Sequence, residues 1–201
     1  MTRIVKDPAE RRLELIEAAE SLFAKKGYED TAVSEIVKKV KVGQGTFYHY
    51  FKSKEDILEA VAKKVVAPYV EDVRNIAKGN EDPATKVNSI LNGILKANDS
   101  DLGIMKLMHQ KGNHLLHQKV EKALEEGMSP LVTEVLSKGI AEGVFKTEYP
   151  DESFGFLIAS TLYLSHNLSW DHESRERMRT ALEEIISRVL GATDYRFHLE
   201  I

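Results

Sequence analysis

The residues best equipped for chemistry lie in one short run, Gly45-Thr46-Phe47-Tyr48-His49-Tyr50-Phe51-Lys52-Ser53-Lys54. It offers hydroxyls, an imidazole, ammonium groups and aromatic rings, and no carboxylate. Gln44 precedes it, and a glutamine carboxamide can pair bidentately with adenine in the major groove. Residues 38–54 contain five lysines (Lys38, Lys39, Lys41, Lys52 and Lys54) and no acid. Such a surface suits a polyanion: ammonium groups and backbone N–H groups hold phosphate, and polar side-chain tips read base edges. The chemistry is recognition, with no bond broken.

Groups of this kind need a short, firmly held helix to carry them. Val33, Ile36, Val37 and Val40 recur at i, i+3, i+4 and i+7, one face of a helix. Lys41-Val42-Gly43-Gln44-Gly45 interrupts it, and Thr46 to Phe51 predicts a second helix of barely two turns. Two helices this short, joined by so few residues, form a helix-turn-helix. From Pro8 to Ala60 the sequence resembles the DNA-binding domain of the tetracycline-repressor (TetR) family of transcriptional regulators. The specific part is Gly45 to Lys54, close to the family's G-T-x-Y-x-Y/H-F-x-x-K run. One departure is Lys41, where the family often has glycine; a lysine held left-handed there costs on the order of 1 kcal/mol.

The resemblance implies a DNA-reading set of Thr31, Ser34, Gln44, Gly45, Thr46, Tyr48, His49 and Lys54. Gln44 is the candidate for base readout, against the plainer role of a solvated turn residue or cap. Thr46, at the predicted helix start, either touches a thymine methyl or phosphate or caps the helix; the N–H groups there can accept a phosphate. Tyr48 and His49 match positions the family uses on phosphate or base edges. Lys54 matches its phosphate-gripping lysine, and on that reading its loss weakens binding to all sequences alike. Thr31 and Ser34, at the start of the first short helix, would hold the flanking backbone. Tyr50 is open between DNA and core; Phe47 and Phe51 have the spacing of core residues.

The formal net charge of −4 divides unevenly. Residues 1–54 hold 11 Lys+Arg against 8 Asp+Glu, and residues 55–201 hold 17 against 24. A basic head and an acidic remainder fit a protein that meets phosphate at one end. The absence of cysteine excludes a disulfide scaffold, a thiolate zinc site and a cysteine nucleophile. No apolar run approaches 18 residues and Met1-Thr2-Arg3 begins no signal peptide, so a soluble cytoplasmic protein is expected.

The chain reads as helices throughout, about nine in an all-α fold: three in a DNA-binding domain, residues 1–54, and six in a body, residues 55–201. Asp7-Pro8 and Asp82-Pro83 are helix openings, and Ser53 with Asp56 resembles a capping box. Gly27 is placed to stop the first helix in a left-handed cap, and Pro68 to kink the fourth. A methionine-rich segment, Leu102 to Met108, supplies one helix. Others run from about Asn113 to Glu142, with Pro130 as a bend or break, from Asp151 to Trp170, and from Ser174 to Leu190. Residues 192–201 show no period.

The body resembles the family's C-terminal domain in helix count and in the phrase Gly139-Ile140-Ala141-Glu142-Gly143-Val144-Phe145. Family members commonly enclose a small, largely apolar ligand there, and their last two long helices pair two chains. The resemblance thus implies a homodimer on a palindromic, double-stranded DNA operator, released by a ligand. Candidate pocket residues are Met105, Met108, His109, Tyr163, His166 and Trp170, though any single one of them reads more readily as core or dimer interface. His114 and His117 have chelating i, i+3 spacing, but there is no Glu-x-x-His and no His-Glu-x-x-His, so no metal is assigned. No P-loop, G-x-S-x-G or dinucleotide fingerprint occurs, which argues against an enzyme and against a cofactor. A helical interaction module with an unused helix-turn-helix would have no need of five lysines without an acid. The reading is a dimeric, ligand-responsive repressor.

Overall fold

The computed structural model describes residues 7–99, 111–166 and 171–200. Among the described residues there are eight α-helices and no strand: α1 (Pro8–Lys26), α2 (Val33–Val40), α3 (Gln44–Tyr50), α4 (Lys54–Lys78), α5 (Pro83–Asp99), α6 (His114–Ala141), α7 (Pro150–His166) and α8 (His172–Leu190). The expected methionine-rich helix, Leu102 to Met108, lies outside the described residues, as does the stretch to Trp170 beyond α7.

Local chemistry sets the helix starts. Asp7 Oδ1 accepts from the N–H groups of Ala9 (2.8 Å) and Glu10, with Pro8 filling a position that needs no donor. Asp82 accepts from Ala84 N and Thr85 N, both at 3.0 Å, and from the Thr85 hydroxyl. Those bonds hold its carboxyl below the ordinary aspartate value, the Thr85 hydroxyl contributing most. Ser53 Oγ accepts from Asp56 N at 3.1 Å. The Asp56 carboxylate takes the N–H of Lys52 (2.8 Å) instead of that of Ser53, so only half of the expected capping box forms.

The helix ends depart from expectation in two places. Gly27 has positive φ (89°), but its ψ of 158° leads the chain away extended, so the expected left-handed cap is not there. α4 and α6 each run as one helix through Pro68 and Pro130; Pro130 does not break α6.

The chain forms two compact units, and the division is not a single cut. One comprises Met1–Ala67 with Gly103–Leu124; the other comprises Pro68–Leu102 with Glu125–Ile201. The expected boundary after residue 54 falls inside the first unit. In that unit α1 packs on α2 and α2 on α3. Its core draws on Leu15 and Phe23 from α1, Ile36 from α2, Phe47 from α3, Ile57, Leu58 and Val61 from α4, and Leu116 and Val120 from α6, all fully buried. Each such side chain contributes about 1.5–3 kcal/mol by leaving water. Ion pairs at 2.5–2.7 Å join its helices: Lys64 with Glu20, Lys26 with Glu35, and Lys119 with Glu55.

In the second unit α5 packs against α7 and α7 against α8. The Gly139-to-Phe145 phrase has a steric reason. A Cβ on Gly139 would sit 2.3 Å from the Phe145 ring, which is buried against the α6 backbone. The Gly139 carbonyl also accepts from Val144 N and Phe145 N, turning the chain back at the helix end. The tail without a period is nonetheless packed: Phe197 and Leu199 are buried. Asn88 and Asn92 of α5 bond its backbone at His198 and Glu200, and Glu183 of α8 accepts from Leu199 N. Side-chain amides supply the order that no hydrophobic period announced.

Candidate nucleic-acid interface

The turn between α2 and α3 is built on Lys41. Its backbone is left-handed (φ 59°, ψ 45°), and no other non-glycine among the described residues has positive φ. Val42 N donates to Val37 O and Lys41 N to Lys38 O, the paired bonds of a Schellman ending that ordinarily uses glycine. The chain thus adopts the strained lysine conformation raised by the sequence. α3 then begins at Gln44, two residues before the expected start at Thr46, with Gly43 at its cap and no side chain bonding its first N–H groups. Thr46 N is already bonded to Gly43 O, so it is not among the donors left for a phosphate. Added side chains at Gly43 and Gly45 would meet nothing within 4 Å, which leaves the helix start open to a close-approaching backbone.

Of the named residues on α3, Gln44, Gly45, Tyr48 and His49 are exposed, and Thr46 is half-buried. Tyr48 is 56% exposed, a large value for an aromatic ring. Phe47 and Phe51 are buried, their rings 5.6 Å apart, and lock α3 to the unit's core. Tyr50 is half-buried, edge-on to His49. Ser34 is exposed on the first turn of α2. The structure therefore brings Ser34 and the four exposed α3 residues to the surface of one helix pair.

Two members of the set face inward. Thr31 is buried, and its hydroxyl donates to Gly27 O at 2.7 Å. Lys54 places its ammonium 2.8, 3.3 and 2.9 Å from the carbonyls of Tyr28, Glu29 and Thr31, and 4.2 Å over the Tyr28 ring. An ammonium has three N–H groups, and these carbonyls engage all three. Burial draws its pKa below the ordinary lysine value, with Glu29 and Asp30 opposing. The geometry makes Lys54 a clamp on the α1–α2 loop. Lys38, Lys41 and Lys52 are exposed; Lys39 is exposed with its ammonium on Ser21 Oγ.

Of the six body residues, Met105, Met108, His109 and Trp170 lie outside the described residues. Tyr163 and His166 fall on the last turn of α7, their side chains outside the described part. His114 meets Gln118 and His117 meets Glu121, and among the described residues no three metal-ligating side chains gather. No helix among them is long and apolar enough to cross a membrane. Asn113 is the functional candidate with the weakest signal in the sequence. It was visible only as a helix start, yet it is fully buried and bonded to two backbone groups of the α1–α2 junction.

An all-helical chain whose second and third helices form a lysine-flanked helix-turn-helix defines a DNA-binding class, and comparison with known proteins gives the family. Residues 15–61 match the family model described as bacterial regulatory proteins, tetR family, and residues 96–185 match the tetracyclin repressor-like C-terminal domain. The fatty acid metabolism regulator protein of Bacillus subtilis (strain 168) is 31% identical over 147 residues, 71% of this chain and 74% of that protein. The HTH-type transcriptional repressor KstR2 of Mycobacterium tuberculosis (strain H37Rv) is 23% identical over 168 residues, 82% of this chain and 84% of its own. A crystal structure of the regulator FadR from Bacillus subtilis in complex with stearoyl-CoA shares the fold, with a TM-score of 0.60 at 22% identity, covering 90% of this chain and 98% of that one. The chain belongs to the tetR family of bacterial regulatory proteins. It is a helix-turn-helix transcriptional regulator and not an enzyme.

Proposed function

We propose that the protein is a ligand-released repressor that reads a palindromic operator as a homodimer in the cytoplasm. The observation that carries this reading is the exposed face of α3: Gln44, Gly45, Tyr48 and His49 within two turns, inside a span of five lysines and no acid. Gln44 and Tyr48 supply base readout, His49 and Ser34 hold the flanking backbone, and Lys38, Lys41 and Lys52 supply charge. One such helix covers too few base pairs for tight specific binding. Two-fold pairing places a second copy about 34 Å away, one turn of DNA along.

Pairing through α7 and α8 is supported by what these helices leave in water. Phe156 of α7 is 73% exposed and Ile185 of α8 is 48% exposed, beside the exposed small residues Gly155, Ala159 and Ala181. Residues 1–54 serve as the DNA-binding domain and residues 55–201 as the ligand-binding and dimerisation domain. The ligand is small or slender and largely apolar, held by some of Met105, Met108, His109, Tyr163, His166 and Trp170. The named relatives turn a first screen toward long-chain acyl thioesters such as stearoyl-CoA. Ligand release needs the two spacings of the heads to differ in ligand affinity; weakening DNA binding a hundredfold takes about 2.7 kcal/mol of coupling.

The test is enrichment of binding sites from a random duplex library, followed by titration of the selected duplex complex with stearoyl-CoA. A palindrome, with binding that falls steeply with salt, supports the operator reading. Release of the duplex by micromolar stearoyl-CoA supports the ligand class. An enriched site with no two-fold symmetry contradicts the dimer, and an acyl thioester without effect removes that ligand class.

A further inference from the structure

The α1–α2 loop, residues 27–32, is held from two sides. From one side comes Lys54, as described. From the other comes the segment Lys111-Gly112-Asn113 that leads into α6, within the same compact unit. Asn113 uses both halves of its amide: Oδ1 accepts from Tyr28 N at 2.6 Å, and Nδ2 donates to Phe23 O at 3.1 Å. Phe23 O is also the acceptor for Gly27 N, so Asn113 bridges the last turn of α1 and the first residues beyond it. Gly112 O accepts from Glu29 N at 3.2 Å. Lys111 approaches Gly27 so closely that a Cβ there would lie 2.4 Å from its carbonyl oxygen, so backbone lies directly on backbone. One turn and a half further along α6, Lys119 pairs with Glu55 of α4 at 2.7 Å.

These bonds form a strut. The loop cannot move against α6 without breaking the bonds that the fully buried Asn113 amide makes to Tyr28 N and Phe23 O, and breaking hydrogen bonds at a buried amide is costly. Nor can α6 move without pulling the loop that sets where α2 begins. α6 itself is one helix of 28 residues, and it continues past Leu124 into the second unit. We propose that Asn113 is the positioning residue through which α6 and the DNA-reading helices report each other's state. The inference rests on the regulator reading above, because it needs a head that binds DNA and a body whose state matters.

Coupling between sites is reciprocal, so DNA can serve as the effector and no ligand need be known. The measurement is hydrogen exchange of full-length protein, free and saturated with the selected operator duplex, read in α6 peptides beyond Leu124. Wild type is expected to slow exchange there by about fivefold or more on binding DNA, the lower end of ordinary couplings. Asn113→Ala, saturated with the same duplex, is expected to bind it and lose that protection. A residue with a purely structural role would lower stability and affinity but leave the protection at saturation unchanged, and that result overturns the proposal. Wild type that binds duplex with no change in α6 overturns it too. If Asn113→Ala does not fold, Glu55→Lys breaks the solvent-side link and Glu55→Lys with Lys119→Glu restores it. Loss and recovery of the protection across that pair supports the strut, and equal protection in all forms contradicts it. Wild type that binds no duplex fails earlier, at the regulator reading itself, and the inference falls with it.

Discussion

Lys54 and Lys52 sit two residues apart and do different work. Lys54 gives its donors to three loop carbonyls, while the Lys52 side chain is exposed and, among the described residues, has no hydrogen-bond partner. Lys54→Ala is therefore expected to lower folding stability by about 2 kcal/mol, the range for hydrogen bonds to a charged group, and to leave the salt slope of DNA binding unchanged. Lys52→Ala is expected to do the reverse, weakening all sequences alike and reducing that slope by about 1. Denaturant melts beside binding isotherms at several salt concentrations separate the two; a normal melt with a reduced slope for Lys54→Ala would return that residue to phosphate. The sequence showed the lysine but not its direction. Nothing in residues 52–54 reveals that the carbonyls of Tyr28, Glu29 and Thr31 converge there, since they arrive from 23–26 positions away. Thr31 is a parallel case, since nothing near it in sequence reveals that its hydroxyl donates to a carbonyl four residues back.

The helices were legible where a cap or a period marks them, and less so where the backbone is strained. Asp7 and Asp82 cap the starts that their positions advertise, whereas Asp171 caps α8 at His172, two residues before the start expected at Ser174. The α2–α3 turn is a harder case, because a lysine occupies a glycine's conformation. Lys41→Gly is expected to stabilise the protein by about 1 kcal/mol through relief of left-handed strain, seen as a higher melting midpoint, while costing DNA affinity one charge. A lower midpoint would mean that the lysine side chain stabilises the turn by more than its strain costs. Gly139→Ala carries the opposite sign. With its Cβ inside the Phe145 ring edge and Pro83 3.0 Å away, it is expected to cost about 1–3 kcal/mol as an overpacked core site. Equal stability in a thermal melt would show that Phe145 can step aside.

Across the entire chain, the class of fold was readable because every long apolar pattern has the helical period, and the family was readable because one decapeptide is specific. The body was not readable in the same detail. Its candidate pocket rests on residue types that serve equally as core, and its tail is ordered by Asn88, Asn92 and Glu183, whose role no period reveals. Assembly belongs at this level too. Phe156→Glu is expected to convert a dimer to a monomer in sedimentation at micromolar concentration and to weaken operator binding by at least tenfold, because a lone head loses its partner's half-site. A dimer that survives the charge would place the interface elsewhere.

The central claim is that α3 reads base sequence through Gln44, and paired binding-site selections with wild type and Gln44→Ala test it most directly. The account predicts that wild type enriches a palindrome with an adenine-containing pair at a symmetric position, and that the variant keeps the palindrome but loses about 1–3 kcal/mol of discrimination at that pair alone. Identical sites enriched by both proteins would contradict it.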